Sequence, residues 1–102
     1  MTDFNDELEV KQAEATEAAK ALRQRVLNDI TYLMGTVEGR RFIWRLLSSS
    51  GVFTTSFTGE TNSTMFNEGR RNYGLTLFSD VMEACPDEYL TMANEAKEDS
   101  KQ

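Results

Sequence analysis

The chain has 102 residues, 39% of them hydrophobic, with one cysteine, no histidine and a net charge of −6. That length holds one small domain, and the acidic balance speaks against a general nucleic-acid binder, which needs a dense basic surface to displace counterions. The missing histidine removes the commonest general base near neutral pH and the commonest transition-metal ligand.

The charge is segregated. Residues 1–20 hold six acids against two lysines (−4), residues 21–85 six acids against seven arginines (+1), and residues 86–102 five acids against two lysines (−3). Asp3 to Gln24 is rich in Glu, Ala, Lys and Gln and has neither Gly nor Pro, so its helix propensity is high. Its apolar face is thin, and an isolated helix with little to bury is marginal in water. We therefore expect residues 1–20 to form an acidic helical arm. The acidic start fits neither a signal peptide nor a transit peptide, and no run approaches the ~18 apolar residues of a membrane span. A soluble protein made in the cytoplasm is expected.

Leu22, Val26, Ile30 and Leu33, with Leu27 and Met34 beside them, step like the stripe of a core-facing helix. Gly35 closes that helix. Thr36 can cap the next one, where Glu38 suits the positive end of the helix dipole. This second helix carries Phe42, Ile43, Trp44, Leu46 and Leu47 and stops at the Ser48-Ser49-Ser50-Gly51 break. Residues 51–62 read as a loop with Val52, Phe53 and Phe57 embedded. A third helix is expected from about Ser63 to Cys85, with Phe66, Tyr73, Leu77, Val81 and Cys85 on one face and Gly74, Phe78 and Met82 beside it. Pro86 suits the first position of a last helix, with Asp87 and Glu88 in its first turn. That helix offers Tyr89, Leu90, Met92 and Ala93, then dissolves into a disordered tail at 94–102. The core domain is thus expected over 21–93, in an all-α architecture of about four helices.

Glu38-Gly39-Arg40-Arg41 recurs as Glu68-Gly69-Arg70-Arg71, thirty residues on, with aromatics and leucines following each box. Two related helices packed antiparallel across Gly39 and Gly69 would explain the echo, since a missing side chain lets backbones approach.

Catalytic chemistry is hard to find. Cys85 lacks a His partner to activate it, no cysteine pair supplies zinc ligands, and Gly39 and Gly69 lack phosphate-loop spacing. The expectation is a protein that is not an enzyme and takes no cofactor or metal. Its informative polar residues are Arg40, Arg41, Arg45, Arg70 and Arg71. They either pair with neighbouring acids or present planar forks to carboxylate or phosphate. Trp44, Phe53 and Phe57 either fill the core or anchor an interface, where Trp, Tyr and Arg are enriched. Together these eight are the candidate partner-binding residues.

The run from Gly35 to Leu47, then Gly51-Val52-Phe53, Ser56-Phe57 and Phe66 to Leu75, followed by Cys85-Pro86, Tyr89 and Met92, resembles a family of small tailed-bacteriophage proteins. Its type member comes from a Bordetella podophage (a Bbp-type phage domain), and its members are usually encoded among head and packaging genes. The resemblance covers roughly Leu22 to Ala96 and implies a virion or assembly role, with no catalytic residues to carry over. The expectation is a minor virion protein docking on the portal or inner core of a short-tailed phage, with roles in DNA ejection or head assembly. Its partners would be phage structural proteins and further copies of itself, with nucleic-acid contact not favoured and no membrane in the mature particle. The alternatives are a DNA-packaging factor resembling a small terminase subunit, or an intracellular modulator of a host protein.

Overall fold

The computed structural model describes residues 4–54 and 59–101. Four helices follow one another: α1 (Phe4–Met34), α2 (Val37–Ser50), α3 (Thr61–Ala84) and α4 (Pro86–Asp99). They pack together, with no strand among the described residues.

Local chemistry sets the boundaries. With no Gly or Pro between Phe4 and Met34, the arm and the first core helix form one helix of 31 residues, about 46 Å long at 1.5 Å per residue. The Thr36 hydroxyl accepts from the Gly39 N–H at 3.0 Å and caps α2. Gly51, at φ 81°, ends α2 in the left-handed conformation that glycine adopts without steric cost. The Glu60 carboxylate accepts from the backbone N–H groups of Asn62 and Ser63 and caps α3. Pro86 opens α4.

The core is small: Ile30, Met34, Ile43, Leu47, Val81 and Met92. Trp44, Val52, Leu77, Phe78 and Tyr89 pack around it, half-buried. The Cα trace measures 71 × 39 × 15 Å, and a body that thin leaves each helix with an uncovered side.

Three expectations need correction. The inward face of α1 is Arg23, Leu27, Ile30 and Met34, whereas Leu22, Val26 and Leu33 stay exposed. The stripe is turned because Arg23 reaches Asp80 at 2.7 Å and also pairs with Glu83, holding α1 to α3 along that edge. The chain does not dissolve after Ala93, because α4 runs to Asp99 with Glu95 held by Arg40. The two matching boxes do not pack across their glycines. A Cβ at Gly39 would collide with the Leu33 carbonyl, whereas one at Gly69 would meet nothing within 4 Å. Contact between α2 and α3 is made instead at Gly74, where a Cβ would stand 2.5 Å from Ser50 Cβ.

Candidate docking groove

Helix α2 has 14 residues and α3 has 24. The shorter helix cannot cover the apolar face of the longer one. Past the Gly74–Ser50 contact the stripe of α3 therefore emerges: Val81 is buried, Leu77 half-buried, and Tyr73 and Phe66 are 79% and 70% exposed. Leu77, Tyr73 and Phe66, with Met65, form one wall of an open groove of about 680 Å³. Leu46, Ser49 and Ser50 of α2 form the other, and Gly69 lies between them as a clear stretch of floor.

The groove is apolar with a basic edge. Arg70 is its sole charged lining residue among the described residues. The Arg70 guanidinium lies over the Phe66 ring at 5.9 Å and donates to Asn67 Oδ1 at 3.4 Å. On the exposed flank of α2, one turn from the groove, the Arg45 guanidinium lies over the Phe42 ring at 5.3 Å. Both cations are held against aromatic faces, an arrangement suited to a planar guanidinium.

The candidate residues do not gather at one place. Arg45 and Arg70 are exposed beside the groove. Arg41 is exposed elsewhere, in a smaller cleft with Trp44, Glu95 and Asp99. Arg40, a candidate for docking or for pairing with acids, is turned inward and paired. Its side chain is 11% exposed, with Nε 2.7 Å from Glu95, Nη1 2.8 Å from the Met34 carbonyl oxygen, and Glu88 at 3.5 Å. Its role is to clamp α2 to α4 and to satisfy an unpaired carbonyl at the end of α1.

Arg71 is half-buried against Glu68 at 3.7 Å, and its Nε is buried without a hydrogen bond among the described residues. Trp44 packs on Phe53 with ring centres 5.2 Å apart and the rings tilted by 30°, although Phe53 remains 47% exposed. Phe57 lies outside the described residues.

The sequence pattern places Phe66 and Tyr73 on one face of α3 with Leu77 and Val81, and Leu46 among the apolar residues of α2, but does not single out Met65. A usable signal was the ten-residue excess of α3 over α2 (24 against 14), which leaves two to three turns of apolar stripe uncovered. Arg23 was also passed over. Its acidic partners lie 57 and 60 residues away in sequence, beyond any local pattern.

Cys85 is half-buried, and burial, then the nearby Glu88 charge, raises its thiol pKa, disfavouring the thiolate. Among the described residues no group of three or more His, Cys, Asp or Glu is placed to hold a metal ion. No helix formed by the described residues is long and apolar enough to cross a membrane.

No curated protein and no solved structure matches the chain. A family model described as the Bbp19-like phage protein matches residues 30–94, from the last turn and a half of α1 to the middle of α4. That span holds the groove, Arg40 and the whole buried core, stops one residue short of Glu95, and leaves the acidic arm outside. On this match over well more than half its length, the chain belongs to the Bbp19-like phage protein family.

Proposed function

We propose that this phage protein is a non-catalytic assembly piece of the virion, docking on the portal or inner core of a short-tailed particle. The observation that carries this reading is the open groove between α2 and α3. Leu46, Met65, Phe66 and Tyr73 surround it with large apolar surface in a chain whose buried hydrophobic core, among the described residues, is only six residues. Clustered exposed apolar side chains with an arginine at the edge have the composition of an interface. A small domain with so little internal burial gains stability when such a face is covered.

The DNA-packaging alternative draws less support. Arg23 and Arg40 are engaged by carboxylates of the same chain, which leaves a sparse basic surface on a protein of net charge −6. Mass spectrometry of purified particles tests the proposal. The protein is expected at a fixed stoichiometry, with incorporation lost in Phe66→Glu. Its absence from wild-type particles would end this reading.

A further inference from the structure

The groove has an obvious counterpart in the same sequence, though not in the same molecule. Building on the reading of the groove as a docking face, we infer that its occupant is the N-terminal arm of a second copy, residues 4–22 of that copy's α1.

Every residue from Phe4 to Leu22 is exposed. The first side chain of α1 that grips the body is Arg23, through Asp80 and Glu83. The arm is thus 19 helical residues, about 28 Å of helix, that bury nothing, and a helix in that condition is marginal in water. It nevertheless carries an apolar stripe. Phe4, Leu8, Ala15, Ala18 and Leu22 follow one another at spacings of four, seven, three and four on one side of the helix, with Lys11 interrupting them on the same face. Phe4 is 73% and Leu22 63% exposed.

The charge of the arm complements the groove, and part of its length fits. Its wall on α3 from Met65 to Leu77 is about 18 Å long, so three turns of the arm fit within it. The described arm holds Asp6, Glu7, Glu9, Glu14 and Glu17 against Lys11 and Lys20. The groove is edged by Arg70 and flanked by Arg45, and no carboxylate among the described residues pairs with either. An amphipathic helix laid in an apolar groove with opposite charges at the rim is a recurring recognition mode.

A chain cannot fill its own groove this way. α1 is unbroken from Phe4 to Met34 and has no Gly or Pro at which to fold back. The contact is therefore between copies, arm to groove; such a head-to-tail contact gives a ring where the rotation between copies closes and an open filament where it does not.

Light scattering on the full-length protein tests this, with Phe66→Glu in the groove and Leu8→Glu in the arm as separate variants. Both positions are exposed, and far-UV circular dichroism checks that each variant keeps its helices. The wild type is expected at twice the chain mass or more at sub-millimolar concentration, with each variant reduced to the mass of one chain. A monomeric wild type, or a Leu8→Glu variant that keeps the wild-type mass, would overturn the inference. Particle incorporation separates the two readings. Loss with Phe66→Glu but not with Leu8→Glu keeps the groove as a docking face and removes the arm as its occupant. Wild-type incorporation of Phe66→Glu removes the docking face itself.

Discussion

Arg40 Nε stands 2.7 Å from a carboxylate oxygen of Glu95, and the same guanidinium donates to the Met34 carbonyl oxygen at 2.8 Å. One side chain thereby joins the end of α1, the first turn of α2 and the second half of α4. Arg41, its neighbour, has no such duty. Arg40→Ala is expected to cost about 2 kcal/mol, because it strands a partly buried carboxylate and a helix-end carbonyl. Arg41→Ala and Arg45→Ala should stay within about 0.5 kcal/mol of wild type. Urea unfolding of the three variants measures the difference, and equal stabilities would refute the clamp.

The two Glu-Gly-Arg-Arg boxes make opposite predictions for one substitution. Gly39→Ala drives a methyl group into the backbone of Leu33, which cannot rotate away. A loss of about 2–3 kcal/mol is expected, at the upper end of overpacking costs. Gly69→Ala meets open space inside a helix, and replacing glycine there should stabilise by about 0.5–1 kcal/mol. Thermal unfolding should move in opposite directions for the pair.

Gly74 sets the spacing of α2 and α3. Gly74→Val adds bulk against Ser50 and Val52, and should destabilise by about 1–3 kcal/mol while widening the groove. Restoring room with Ser50→Gly in the same chain should recover part of the loss. A double-mutant cycle reads that coupling.

Hydrogen bonds from Ser63 and then Asn62 hold the Glu60 carboxyl below the usual carboxylate range. Its folded-state pKa is depressed, so the cap's contribution is present above the unfolded value and is lost as pH falls through the folded one. Acid titration should therefore loosen the start of α3, an effect absent in Glu60→Ala. Amide exchange at Asn62 and Ser63 is the measurement.

The Cys85 thiol is raised, by burial first and by Glu88 second. Below the ordinary thiol range, near pH 8.5, both folded and unfolded chains hold the proton. As pH rises through that range the unfolded chain ionises first, and stability falls. Alkylation at pH 8 should be slower in the native protein than in denaturant, and Glu88→Gln should quicken the native reaction. Equal native and denatured rates would contradict the burial.

The residues of this chain determine its helices and their ends. Gly35, Thr36, Gly51 and Pro86 act on hydrogen bonds within four residues of themselves, so their effect is visible without a fold. The all-α architecture and the phage-family likeness followed from such local and contiguous features. Helix α4 runs beyond the end expected at Ala93, where no breaker stands, because its support comes from Arg40, 55 residues earlier. Only tertiary structure decided which side of each helix is covered. Leu22 and Leu27, Tyr73 and Val81, Arg40 and Arg70 belong to similar patterns, yet one of each pair is exposed and the other is taken up by the body. A stripe of helical period states that a face is apolar. Whether a neighbour is long enough to bury it depends on the lengths and crossing point of two helices far apart in sequence. Here a short α2 meeting α3 at Gly74 leaves the upper half of that face to solvent.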